Sequence, residues 1–165
     1  MLIIFGGLPG SGKTTIARAL AQRLSAIHVR VDTIEQAIRA SGVADDVGPA
    51  GYIVAYGIAG DNLALGRTVI ADSVNPLQIT RVSWLAVAQA AGVTAVEVEV
   101  VCSDEAEHRK RVETRVTDVE GFVKPTWQEV SERAYDEWHG PIVIDSASKT
   151  VEAAVDELVV RLNGG

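Results

Sequence analysis

Short runs of apolar residues alternate along this chain with segments whose apolar positions recur every three or four residues, the pattern of strands and amphipathic helices in successive βα units. The runs at residues 2–5, 28–31, 68–71, 95–101 and 142–144 predict five strands. Helical spacing predicts helices over 13–24, 32–40, 52–65, 75–91, 104–115, 126–138 and 150–162. Local punctuation agrees. Asp32 and Glu35 read as a capping box, Asn75 and Pro76 as a cap with a first-turn proline, Gly92 as a helix stop, and Thr126 and Glu129 as a second capping box. At least one helix separates each successive pair of strands, which predicts one α/β domain over residues 1–165 with a parallel sheet. The Gly- and Asp-rich stretch 41–50 and the stretch 116–124 read as loops, and Glu97 and Glu99 leave one face of the fourth strand wet near its start.

Composition adds that the core is aliphatic. Of 165 residues 47% are hydrophobic but only 5% aromatic, as suits a sheet covered on both faces. Fifteen Lys and Arg against 22 Asp and Glu give a net charge of −7. The first 84 residues carry 7 basic and 6 acidic side chains and the rest 8 and 16, so the acidity belongs to the second half. A negative field disfavours a nucleic-acid partner. A lone cysteine, Cys102, excludes an intrachain disulfide and a cysteine zinc cluster and reads as a small buried hydrophobe. His28, His108 and His139 have no metal-ligand spacing. No run reaches membrane-spanning length and the first residues lack the charged flank of a signal peptide, so the cytoplasm is the expected compartment, with no membrane and no protein partner expected.

The segment Gly7-Leu8-Pro9-Gly10-Ser11-Gly12-Lys13-Thr14 completes G-x-x-x-x-G-K-[ST] between the first strand and the first helix. In that setting the backbone N–H groups and the helix N-terminus face phosphate oxygens. The expected nucleotide contacts are Gly7, Gly10, Ser11, Gly12, Lys13, Thr14 and Thr15, with Lys13 on the β- and γ-phosphates and the Thr14 hydroxyl on Mg2+. A nucleoside triphosphate with Mg2+ is the expected ligand, and the motif leaves ATP and GTP both open. A dinucleotide loop fits worse, because Gly10-x-Gly12-x-x-Thr15 lacks the third glycine.

In open parallel sheets ligands sit beyond the carboxyl ends of the strands, where Asp32 and Asp72 follow the second and third strands. Phosphoryl transfer asks for one carboxylate near magnesium and one near the acceptor hydroxyl. Asp32 has the simpler alternative of a helix cap. Arg111 and Arg115 are four apart, share a helix face and can meet one anion, or can pair with Glu105, Glu107 and Glu113 on a solvated surface.

The stretches GLPGSGKTT, VRVDTIEQAIRASG, VIADSVNP with Arg81 downstream, and VEVVCSDEAEHRKRVETR resemble, in order and spacing, the small P-loop kinases, a group that includes AAA-type and zeta-toxin-like members and chloramphenicol phosphotransferase-like enzymes. The resemblance implies a five-stranded parallel sheet in the order 2-3-1-4-5 with a short lid over 116–124. It implies Asp32 as the base that receives the acceptor's proton and Asp72 as the magnesium-side or substrate-side carboxylate, and it leaves open which of the two is the base. Asn75 and Arg81 fit the family's acceptor-side positions loosely, and Arg111 and Arg115 its R-x-x-x-R at the lid. Residues 145–148 resemble the adenine-contacting stretch. Trp84, Trp127 and Trp138 read as packing, and Tyr52 and Tyr56 as core or as lining of an acceptor pocket. The expected function is ATP- and Mg2+-dependent transfer to a hydroxylated small molecule. A 5′-hydroxyl polynucleotide kinase and a nucleotide-dependent ATPase switch or toxin component are the alternatives.

Overall fold

Five parallel strands, β1 (Leu2–Gly6), β2 (Ile27–Arg30), β3 (Val69–Asp72), β4 (Ala95–Val101) and β5 (Ile142–Asp145), lie in the order β2-β3-β1-β4-β5. The computed structural model describes residues 1–43, 46–114 and 124–164. Among these, the helices are α1 (Lys13–Leu24), α2 (Val31–Ala40), α3 (Ala50–Ala64), α4 (Gln78–Ala90), α5 (Glu105–Thr114), α6 (Trp127–Ser131) and α7 (Val151–Asn163). No described helix is long and apolar enough to cross a membrane.

β1 is apolar on both faces because both are covered. Ile3 and Phe5 pack with Ile16 and Leu20 of α1 and Leu158 of α7. Leu2 and Ile4 face the other way, onto Ala55 and Ala59 of α3 and Trp84 of α4. All four β1 side chains have no exposed surface, and burial of each stabilises by roughly 1.5–3 kcal/mol. The chain leaves β1 outward to β2, returns through β3 and then crosses to β4. That reversal opens a crevice at the carboxyl edge of β1 and β3, where Gly7 N donates to Val74 O at 3.1 Å.

Three expectations fail for identifiable reasons. Helix α2 begins at Val31, so Asp32 sits in its first turn; the N-cap is the extended Arg30 and no side chain caps it. Asn75 caps nothing. It has φ +48°, is fully buried, donates from Nδ2 to Phe5 O at 2.7 Å and accepts from Trp84 Nε1 at 3.2 Å, while α4 waits until Gln78. Helix α6 does open with the Thr126–Glu129 capping box but stops at Ser131. Beyond it the backbone is engaged elsewhere: Asp136 N donates to Pro76 O at 2.8 Å, and the Asp136 and Glu137 carbonyls accept from Arg81. Cys102 is only half-buried. Gly92 ends α4 as expected, in the left-handed region with φ +64°.

Candidate active site

The turn from β1 to α1 is pressed between two neighbours, and its sequence follows from that. A Cβ on Gly7 (φ +137°) would lie 2.2 Å from Val100 O of β4, and one on Gly10 (φ +84°) 2.6 Å from Val112 Cγ2 of α5. Only glycine fits both the dihedral angles and the space. Pro9 O accepts a 2.9 Å hydrogen bond from His108 Nε2, which therefore carries the proton, and Trp127 packs edge-on against that ring. Helix α1 opens with no acidic residue in its first turn and no side-chain cap. Its first amides and the buried Ser11 Oγ, which has no hydrogen-bond partner among the described residues, are suited to an anion.

Asp72 ends β3 beside this loop, 1% exposed. One carboxylate oxygen accepts from Thr14 Oγ1 at 3.3 Å and the other from His28 Nε2 at 3.1 Å. Burial pushes its pKa up, but the bond from His28, the Lys13 charge and the bond from Thr14 prevail and hold the carboxyl below its ordinary value. A hydroxyl and an ionised carboxylate at the phosphate side are hard oxygen donors that suit Mg2+, an ion that keeps most of its ligands from phosphate and water. Among the described residues no cluster of three His, Cys, Asp or Glu gathers as a metal cage.

Asp32, at the same edge of the sheet, is 23% exposed, with Arg30 Nη2 3.6 Å from Oδ2. It opens onto a cavity of about 510 Å³ walled by Val31, Tyr52, Tyr56, Pro76 and Leu77. Tyr52 Oη accepts from Asn75 N at 3.3 Å, and burial pushes its pKa up to about 12. Tyr56 stands edge-on to Trp84, 4.5 Å between centroids, and donates to Thr80 O at 3.3 Å. The two tyrosines thus serve core and pocket together.

The family model described as AAA domain matches residues 2–138. The chain belongs to this family. Its fold is that of the P-loop kinases. A candidate kinase from Chloroflexus aurantiacus is 23% identical with a TM-score of 0.78, over 99% of this chain and 96% of that one. Kti12 of Chaetomium thermophilum, solved with ADP-AlF3, is 22% identical with a TM-score of 0.74, over 99% and 98%. The APS kinase CysC of Mycobacterium tuberculosis, solved with AMPPNP and APS, is 17% identical with a TM-score of 0.70, over 98% and 96%. Comparison with curated protein sequences gave no match.

Around this AAA-family loop the basic residues of α5 divide. Arg111 turns inward: Nη1 donates to Ser146 Oγ at 2.8 Å, Nε to Glu107 Oε1 at 2.9 Å, and Nη1 lies 3.9 Å from where a Gly12 Cβ would be. Arg109 and Lys110 instead pair with Glu113 and Glu107 on the solvated face. Arg115 and residues 116–123 of the expected lid lie outside the described residues. Arg81 is not brought to the loop or the cavity wall. It is 3% exposed, gives hydrogen bonds to the carbonyls of Asn75, Pro76, Asp136 and Glu137, and lies 4.5 Å from the Trp138 ring centroid. His28 and His108 escape the sequence reading because their partners are 44 and 99 residues away. The available signal for His28 is its place between the apolar Ile27 and Val29 of β2, which puts it on the opposite face of the strand.

Proposed function

We propose that this protein is an ATP- and Mg2+-dependent kinase that transfers the γ-phosphoryl group to a hydroxyl of a small molecule. The observation that carries the reading is Asp32, a partly exposed carboxylate opening onto an apolar cavity at the same sheet edge as the phosphate loop. The nucleotide analogues in Kti12 and in APS kinase support the donor assignment. In the reaction the acceptor oxygen bonds to the γ-phosphorus, the bond from that phosphorus to the β–γ bridging oxygen breaks, and ADP leaves with the electron pair. The acceptor proton passes to Asp32 and then to water. Lys13 and Arg111 offset charge on the phosphoryl oxygens. Thr14 and Asp72 would hold Mg2+, which when bound neutralises charge on the β- and γ-phosphates.

Asp32 suits the base better than Asp72. The Asp72 carboxylate is buried, committed to Thr14 and His28, and made more acidic by its surroundings, whereas Asp32 faces open space. The test is a pair of variants assayed for ADP release across hydroxylated metabolites, sugars, nucleosides and antibiotics. Lys13→Ala is expected to abolish transfer, and Asp32→Ala to lower it by about 10²–10⁴-fold with ATP affinity nearly intact. Transfer retained in Asp32→Ala, or ATP affinity lost with it, overturns the assignment. ATP hydrolysis without acceptor, indifferent to Asp32→Ala, points instead to a nucleotide switch.

A further inference from the structure

The cavity beside Asp32 holds a second carboxylate that the transfer step does not use. Glu35 lies three residues further along α2 and lines the same space, 22% exposed. Its side chain has a prepared bed: a Cβ on Gly51 of α3 would stand 2.3 Å from Glu35 Cγ. Burial and the Asp32 charge push its pKa up, against the pull of Arg39 and Arg133. Arg39 Nη2 is 3.7 Å away on the same helix, and Arg133 is the guanidinium facing it from beyond α6. Residues three apart on a helix are neighbours, about 5–6 Å between Cβ atoms. Two carboxylates at that spacing can grip two adjacent polar groups of one molecule, and ionised carboxylates accept hydrogen bonds only. The groups they grip must therefore be donors. Behind them the wall is apolar and built around the two tyrosines.

We propose that Glu35 is a specificity residue, and that the cavity takes a neutral or cationic alcohol: a ring-sized apolar body with a second donor, hydroxyl or ammonium, beside the hydroxyl that faces Asp32. An anionic alcohol is disfavoured, because a negative group beside that hydroxyl would meet the acidic pair, and the guanidinium groups nearby already face those carboxylates: Arg30 at Asp32, and Arg39 and Arg133 at Glu35. That one of the hydroxyls is phosphorylated rests on the kinase reading; the binding preference does not.

Three probes isolate the neighbouring group. 1-Phenyl-1,2-ethanediol, 2-amino-1-phenylethanol and mandelate share a phenyl ring and a benzylic hydroxyl, and differ in carrying a hydroxyl, an ammonium or a carboxylate next to it. Their dissociation constants with the full chain are measured by ligand-observed NMR titration without nucleotide. The diol and the amino alcohol are expected to bind at least about tenfold more tightly than mandelate. Glu35→Gln, which keeps the shape that Gly51 admits, is expected to shrink the amino alcohol's advantage by about fivefold or more. Mandelate binding as well as the others, none of the three binding at about 10 mM, or a ranking untouched by Glu35→Gln overturns the proposal. Adding ATP and Mg2+ separates the two readings: the expected ranking without ADP release sinks the kinase and leaves the preference, whereas ADP release fastest with mandelate does the reverse.

Discussion

His28 Nε2 lies 3.1 Å from Asp72 Oδ2, so a histidine of an edge strand steadies the buried carboxylate beside the phosphate loop. The carboxyl of Asp72 is more acidic folded than unfolded, which links it to stability. A group with a depressed folded pKa contributes fully above its unfolded value, here the ordinary 3.8, and loses that contribution as pH falls through the folded value. Wild-type unfolding free energy is therefore expected to drop on acidification between about pH 5 and pH 2, and Asp72→Asn to flatten that slope. Urea titrations across that range measure it. Equal slopes in the two proteins would show that Asp72 is not the linked group.

Arg81 gives four hydrogen bonds to backbone carbonyls and stacks on Trp138, tying residues 135–138 to the turn after β3. A lysine has neither the planar fork nor the stacking surface. Both Arg81→Ala and Arg81→Lys are expected to cost about 1–3 kcal/mol in urea denaturation, because the buried Asn75 carbonyl loses its guanidinium donor and the partly buried Asp136 and Glu137 carbonyls lose theirs. ATP affinity of the folded protein should hold. A variant of full stability with a raised KM for the acceptor would return Arg81 to the acceptor-side role that its sequence position suggests.

How far the sequence could be read tracks the range of the interactions that decide each element. The phosphate loop and α1 were legible because the motif, the strand before it and the helix after it are contiguous; α1 falls on the expected residues 13–24. β4 matches its valine run for the same reason. The strand order came from family resemblance, since apolar runs alone do not rank neighbours. Asp32 reads as a cap because local spacing cannot tell that the helix is entered from Arg30, two residues earlier. Asn75 and residues 132–138 depart from the local pattern together, for one reason. Arg81, Trp84 and Phe5 claim the polar groups of those segments, and these partners lie outside any helical window. Glu35 was visible only as a capping partner; its place in the cavity depends on Gly51 across the interhelical gap.

Gly10 offers a steric test of the loop. An alanine there must adopt φ +84° and meets Val112 Cγ2 at 2.6 Å. The left-handed backbone alone costs about 1–2 kcal/mol, and the collision displaces either the loop or α5. Gly10→Ala is expected to weaken ATP binding by about tenfold or more in calorimetry. Adding Val112→Ala should restore part of that loss, because it removes the collision and leaves the dihedral strain. No recovery in the double variant would mean that the dihedral angle alone sets the loop's shape.

The split within α5 sets two arginines of one helix in different surroundings. Arg111 is half-buried, anchored to Ser146 and turned toward Gly12, whereas Arg109 is exposed and paired with Glu113. An arginine that meets transferring phosphoryl oxygens from within the same chain contributes to kcat far more than to ground-state binding. Arg111→Ala is expected to lower kcat by about 10²-fold or more, with ATP affinity changing by less than about tenfold. Arg109→Ala and Lys110→Ala should leave kcat within about twofold, since exposed ion pairs contribute little. Steady-state kinetics on the acceptor found by the ADP-release screen decide it. Equal losses from Arg109 and Arg111 would mean that the whole cluster acts as a diffuse field, and a loss confined to stability in Arg111→Ala would reduce that residue to a clamp on Ser146.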